Sequence, residues 1–474
     1  MQPDSRDQDN ARFRLASTLW QRGEIAGAES LLRSLTAQNP AREDAAFLLA
    51  EVLRNQGKLD AAVHVVFEFC RARGFDSSTS LQGGRFIQEC HRQFVADELC
   101  REALARNGSD PELWLLAGHV AREIGDFARV RDCYEAALAA GVDLDRRAVF
   151  GALARTRRYE HADDPDFARF ESHFRNIAAG ARARAATGCG LAKACDDIGD
   201  FRSAAGILAE ANAMVKATQP WQATAWSAFV ASRRKDKVTA TANVAATDFI
   251  PIFIVGLPRS GTTLAATRLA GCTTARDRGE LRTLRFIADT LIAGKHLGSA
   301  SAVREAAQLY RAHAMQDDAP ARWYIDQDPL NFRYLDIAAA MFPQARIIHC
   351  RRSLRDTALS LWAQDFAHQD AGFAYDFPDI AGYVEGHDAL MAHWRETLSV
   401  PIHELDYEAL VADTDATLRE LAAFVGAPFA PQAQVGVPIN SSSVWQARQP
   451  VYATSVGRWR AYLPWIPELA RFPE

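Results

Sequence analysis

Small residues recur at a fixed period along the first part of this chain: Ala16, Ala50, Gly84 and Gly118 each stand 34 residues apart. Seven residues after each come Gly23, Gly57, His91 and Gly125, with His91 the exception to glycine. Five further on stand Ala28, Ala62, Ala96 and Val130. A repeat of this length marks stacked supersecondary units, none of which can bury its apolar face alone. The offsets predict two antiparallel helices per unit over roughly residues 10 to 141. The small residues let the helices approach, and glycine turns the chain between them. Pro40 closes the first unit. A further unit with Ala192, Gly199, Ala204 and Ala211 follows an irregular insert near 163–167. Stacking predicts a continuous core and a concave groove able to hold a protein partner.

Composition narrows the function classes. A chain of 474 residues has room for more than one domain. Its net charge of −5 argues against a nucleic-acid partner. No run is apolar over the eighteen or so residues that a membrane-spanning helix needs. Met1-Gln2-Pro3-Asp4-Ser5-Arg6-Asp7 is polar and does not read as a secretory signal. The eight cysteines show no CxxC spacing, which predicts reduced thiols in a cytoplasmic protein and neither zinc nor disulfides.

The second half carries the chemistry. Residues 251–263 read Pro-Ile-Phe-Ile-Val-Gly-Leu-Pro-Arg-Ser-Gly-Thr-Thr. Ile252, Phe253, Ile254 and Val255 predict a short buried strand. Gly256 and Gly261 then have the spacing of a phosphate-cradling loop that leads into a helix through Leu264, Ala265 and Ala266. Thr262 stands where triphosphate enzymes place lysine, and Arg259 supplies a cation within the loop. That pattern disfavours a nucleotide kinase and favours a nucleotide with a simpler phosphate-linked group. A second strand is predicted at Arg346-Ile347-Ile348-His349-Cys350, followed by Arg351, Arg352 and Ser360. Arginine offers a permanently charged fork to a phosphate, and the serine adds a hydroxyl. Over 250–474, strand-like runs (251–256, 346–350, 400–405) alternate with helical ones (263–271, 300–316, 333–342, 354–364, 408–425). This alternation predicts an open, mainly parallel sheet covered by helices.

Two resemblances follow from these residues. The repeat offsets resemble tetratricopeptide repeats. Pro258-Arg259-Ser260-Gly261-Thr262-Thr263 resembles the 5′-phosphosulfate loop of sulfotransferases, and Arg352 with Ser360 matches the pair that holds the 3′-phosphate there. The chain is thus similar to repeat-linked bacterial sulfotransferases, its C-terminal part to tyrosylprotein sulfotransferases. The resemblance implies a multidomain protein. An N-terminal all-α tetratricopeptide superhelix (1–231) and a linker (232–247) would precede an α/β, P-loop-like sulfotransferase domain with a mainly parallel sheet (248–474).

The resemblance also implies 3′-phosphoadenosine 5′-phosphosulfate as co-substrate, with no metal. Arg259 would neutralise the transferred sulfonate, while Ser260, Gly261, Thr262 and Thr263 cradle the 5′-phosphate. Glu280 would be the general base, with Arg282 two residues on as in the relatives. Arginines at 276, 278, 282 and 285 crowd this segment; they would hold Glu280 ionised, and Arg278 and Arg282 would favour an acidic acceptor. Gln327, in Asp326-Gln327-Asp328-Pro329, stands where the family has a lysine at the leaving oxygen. Tyr407 would lie beside the nucleotide, Ser443 at the bridging oxygen and Arg448 as the nearest cation of a closing loop. The acceptor hydroxyl stays open between a protein tyrosine, a glycan and an anionic small molecule. So does a rival reading, an adaptor whose degenerate domain retains nucleotide without turning it over.

Overall fold

The computed structural model describes residues 5–144, 146–235, 238, 241, 248–316, 320–366, 369–430 and 453–474. The chain divides into two compact units. One holds the residues up to Val142 together with Arg311–Pro320; the other holds most of the remaining described chain.

In the first unit the helices stand in antiparallel pairs, as the repeat requires. α1 (Ser5–Gln21) packs on α2 (Ile25–Gln38), α3 (Glu43–Asn55) on α4 (Leu59–Ala72), α5 (Ser77–Glu89) on α6 (Gln93–Arg106), and α7 (Pro111–Ile124) on α8 (Phe127–Ala139). The turn within a pair is left-handed: φ is +78° at Gly23, +75° at Gly57 and +92° at Gly125. His91, the one departure from glycine, takes the same conformation at +57°. The turn therefore dictates the backbone, and a side chain there costs about 1–2 kcal/mol. The small residues serve close approach. A Cβ on Gly84 would lie 2.6 Å from Leu116 Cδ2, and one on Gly118 2.7 Å from the Tyr134 ring. Leu32, Leu49, Val66, Ile87, Leu99, Leu116 and Cys133 share one continuous core across the pairs.

The second unit opens with α9 (Val149–Leu153) and α10 (Pro165–Arg175). The expected irregular insert near 163–167 is instead the start of α10, because the Asp164 carboxylate accepts from the Asp166 amide and Pro165 fits the first helical position. The further repeat pair is α11 (Ala181–Asp197) with α12 (Phe201–Thr218), turned at Gly199 with φ +84°. α13 (Ala223–Lys235) runs into the expected linker and buries Arg233 in an ion pair with Asp336. Residues 236, 237, 239, 240 and 242–247 of that linker lie outside the described residues.

Next come β1 (Ile250–Gly256), α14 (Thr262–Gly271), β2 (Arg276–Asp277), α15 (Thr283–Ala293), α16 (Ala300–Met315) and β3 (Trp323–Asp326). A 3₁₀ turn at Pro329–Tyr334 leads to α17 (Leu335–Met341), β4 (Arg346–Arg351), α18 (Leu354–Trp362) and α19 (Phe377–Thr397). β5 (Ile402–Asp406), α20 (Tyr407–Ala412), α21 (Thr414–Val425) and α22 (Trp459–Tyr462) complete the set used below. The run 408–425 is broken at Asp413, whose carboxylate caps α21 through the Ala416 amide.

The strands form one sheet in the order β2-β3-β1-β4-β5, every described pairing parallel. β1 is central and buried along its whole length. Ile252 and Ile254 pack with Leu269, Leu418 and Leu421 on one face. On the other, Phe253 meets Tyr310 with ring centroids 5.6 Å apart. Each such side chain contributes about 1.5–3 kcal/mol when buried. From β1 the chain proceeds toward β3, and from β4 toward β5, so the strand order reverses between β1 and β4. The crevice outside the carboxyl ends at such a reversal is where α/β sheets bind ligands.

The repeat packing gives a direct check. Gly118→Val should lower stability by about 1–3 kcal/mol through overpacking against Tyr134, read as a thermal or denaturant shift. Gly206→Ala, with open space around the added carbon, should not destabilise.

Candidate functional site

The first loop is built by glycine where no other residue fits. Gly256 ends β1 with φ +155°, and a Cβ there would lie 2.5 Å from the Cys350 carbonyl of β4 and 2.8 Å from Ser260 Oγ. Gly261 precedes α14 with φ +103°, and its Cβ would lie 2.4 Å from Tyr407 Cδ2. Between them Arg259 adopts φ +74°, a left-handed conformation that side chains disfavour. Ser260, Thr262 and Thr263 are buried, with Thr262 and Thr263 in the first turn of α14, where the helix dipole favours an anion.

Parallel pairing of Gly256 with Cys350 brings the second loop alongside. Arg352 follows β4, and Ser353 caps α18, which carries Ser360. Arg259 Nε donates to Ser360 Oγ at 3.0 Å. Arg352 Nη1 donates to the Arg259 carbonyl at 3.1 Å and Nη2 to the Ser455 carbonyl at 2.8 Å. The Arg352 guanidinium lies 4.8 Å from the centre of the Tyr407 ring, and Tyr407 Oη is 2.8 Å from Ser455 Oγ. Asp356 of α18 pins the returning chain by accepting from the Gly457 amide at 2.7 Å and the Trp459 amide at 3.0 Å. Among the described residues none of the hydrogen-bond partners of Arg352 is a carboxylate. Arg352 Nε and Ser260 Oγ are buried without a hydrogen-bond partner among the described residues. A positive charge, orphaned polar atoms and a glycine cradle together fit a bound phosphate.

The third segment lies at the ends of β2 and β3. The Arg278 amide donates to the Ile325 carbonyl and the Gln327 amide to the Gly279 carbonyl, both at 2.9 Å. This brings Glu280 beside Asp326, Gln327 and Asp328. The surroundings correct the expected ionisation of Glu280. Burial comes first, Asp328 and Asp326 add to it, and together they outweigh Arg282 and Arg259; the carboxyl rises from 4.5 to about 8. Burial likewise raises Asp326 to about 8 and Asp277 to about 6. Of the crowding arginines, Arg276 and Arg282 are exposed, Arg278 lies 5.3 Å from the Tyr324 ring centre and Arg285 pairs with Asp289 at 3.7 Å. Gln327 is buried, its Oε1 without a partner among the described residues.

Arg259, Ser260, Gly261, Thr262, Thr263, Arg352, Ser360 and Tyr407 thus converge at the ends of β1 and β4. Glu280, Gln327, Arg278 and Arg282 form the neighbouring group at β2 and β3. Ser443 and Arg448 lie outside the described residues. Sequence reasoning missed Ser455, Asp356 and Asp326. For Ser455 the nearest signal was the turn-forming Gly457 just beyond it; an aspartate in a capped helix start or at a strand end carries none. Among the described residues no group of three or more His, Cys, Asp or Glu side chains could hold a metal ion.

Comparison with known proteins agrees with this architecture. Residues 251–431 match the model of the sulfotransferase family, and residues 19–67 that of the tetratricopeptide repeat. An uncharacterized protein of Aquifex aeolicus (strain VF5) is 32% identical over 232 residues, covering 45% of this chain and 30% of that protein. The chain therefore spans less than a third of that relative's length. A mutant of Thermobaculum terrenum O-GlcNAc transferase aligns over 99% of this chain and 95% of its own at 12% identity. Its TM-score of 0.19 carries no argument. Among the described residues no helix is long and apolar enough to cross a membrane.

The Glu280 carboxyl also predicts a stability signature. Its folded value lies above the unfolded one, so its contribution is most favourable below about 4.5 and declines as pH rises through about 8. Glu280→Gln removes that decline. Its denaturation midpoint should gain on the wild type between pH 5 and pH 9; a difference that does not change with pH would contradict the assignment.

Proposed function

We propose that this chain, which joins a tetratricopeptide repeat region to a sulfotransferase-family domain, transfers sulfonate from 3′-phosphoadenosine 5′-phosphosulfate to an acceptor hydroxyl. The observation that carries this reading is the convergence of Arg259, Ser360 and Arg352 at the β1–β4 crevice. In it, Arg352 and Ser360 hold the 3′-phosphate. Ser260, Gly261, Thr262 and Thr263 hold the 5′-phosphate, and Tyr407 flanks the nucleotide. The co-substrate supplies an activated sulfonate. Glu280, in its ionised form, takes the proton of the acceptor hydroxyl as the new S–O bond forms and the S–O bond to the 5′-phosphate breaks. Arg259 offsets the charge on the moving group and on the departing phosphate, and positioning with electrostatics does most of the work.

The acceptor is a hydroxyl of a protein tyrosine, a glycan or an anionic small molecule, with Arg278 and Arg282 near Glu280 favouring negative charge. Residues 1–231 would hold a protein partner in the repeat groove, and residues 248–474 the nucleotide. The buried free thiols support a reducing, cytoplasmic setting. One observation favours a non-catalytic adaptor instead: Gln327 puts no cation where the resemblance implies a lysine, and it stands beside two aspartates.

Calorimetric titration with 3′-phosphoadenosine 5′-phosphate tests the reading. Micromolar binding is expected, weakened about tenfold or more in Arg352→Ala, since hydrogen bonds to charged groups carry about 1.5–3 kcal/mol. No binding by folded wild-type protein would overturn it. Binding without turnover of the phosphosulfate across a panel of phenolic, glycan and peptide acceptors would favour the adaptor.

A further inference from the structure

Glu280 sits in a turn that the sheet itself does not hold. The ladder between β2 and β3 ends with the Gln327 amide on the Gly279 carbonyl, and Gly279 turns away with φ +67°. Beyond that point the contact is made by a side chain. Asp326 Oδ1 accepts from the Leu281 amide at 3.2 Å, immediately after Glu280, and from the Asp328 amide at 3.1 Å, immediately after Gln327. Its Oδ2 accepts from Tyr310 Oη at 2.8 Å. Asp326 and Tyr310 are each 1% exposed. The Tyr310 ring is packed between Phe253 of β1 and Phe342, with centroids at 5.6 Å and 5.4 Å. One carboxyl group thus ties both flanks of the Glu280–Gln327 group to the centre of the sheet.

We propose that Asp326, oriented by Tyr310, is the positioning residue that fixes Glu280 for proton transfer. It is almost wholly buried and acts through the Leu281 and Asp328 amides. The proposal rests on the reading of Glu280 as the base. A carboxyl group suits the task because one oxygen can accept both amides while the other meets the Tyr310 hydroxyl. A displacement of about 1 Å at a reacting group can cost about a hundredfold in rate. Asparagine can substitute in geometry: its carbonyl keeps both amides, and its NH2 group donates to Tyr310 Oη. Alanine can do neither.

The test measures hydrogen exchange of the peptide spanning residues 278–283 in Asp326→Ala, Asp326→Asn and Tyr310→Phe, beside turnover of 3′-phosphoadenosine 5′-phosphosulfate. Asp326→Ala should speed exchange there about tenfold or more. It should lower kcat by at least about tenfold with the donor KM changed less than about twofold. Asp326→Asn should restore both, and Tyr310→Phe, which keeps the ring packing, should fall between. Native exchange and native kcat in Asp326→Ala would overturn the proposal. So would a loss that follows melting temperature alone and is not rescued by asparagine. If the wild type does not bind 3′-phosphoadenosine 5′-phosphate, the sulfotransferase reading fails on its own, and the exchange data still decide whether Asp326 holds the turn.

Discussion

The candidate site depends on one backbone contact, the parallel pairing of β1 with β4 that sets Gly256 against Cys350. Each strand ends in a loop followed by a helix, and the pairing places the two loops side by side. Arg352 can then reach the Arg259 carbonyl, and Arg259 can reach Ser360. Gly256 is required because a Cβ would press into the Cys350 carbonyl, and Gly261 because it would press into Tyr407. These constraints act on backbone geometry and exist before any ligand arrives. The electrostatic consequence follows. Arg352 donates to backbone carbonyls and lies against an aromatic face, so a guanidinium charge remains available to an anion.

The neighbouring group has the opposite character. Glu280 and Asp328, both half-buried, stand beside the buried Asp326, and each carboxyl is raised, chiefly by lost hydration. Arginines nearby are not sufficient to reverse this, because some are exposed to water and others are engaged by ring faces or carboxylates. The molecule thus sets a cationic, phosphate-fitting loop pair beside a carboxyl raised to about 8. Such displacement is common at functional sites, and its cause here is local and nameable. Gln327 fits this picture poorly as an electrostatic substitute for lysine, which is why turnover and binding are separable questions for this protein.

Periodicity and loop chemistry were legible in the sequence because each rests on a local rule. The 34-residue spacing located the helix pairs, and the turn position held its left-handed backbone even at His91. Apolar runs located β1 and β4. β2 was not legible, since two residues, Arg276 and Asp277, have no period to read. β3 ends in a buried aspartate, which looks polar in a sequence and owes its place to Tyr310 and two backbone amides. Asp356 and Ser455 were invisible for the same reason: their partners lie about a hundred residues away. The raised Glu280 carboxyl is not legible in the sequence, because it comes from burial and from the aspartates across the turn, which outweigh the arginines close in sequence.

On this reading the two loops form one nucleotide site. A crystal structure of the protein with 3′-phosphoadenosine 5′-phosphate tests it most directly. The 3′-phosphate should lie within hydrogen-bonding distance of Arg352 and Ser360, and the 5′-phosphate against the amides of residues 260–263. Nucleotide bound elsewhere, or a 3′-phosphate touching neither Arg352 nor Ser360, would contradict it.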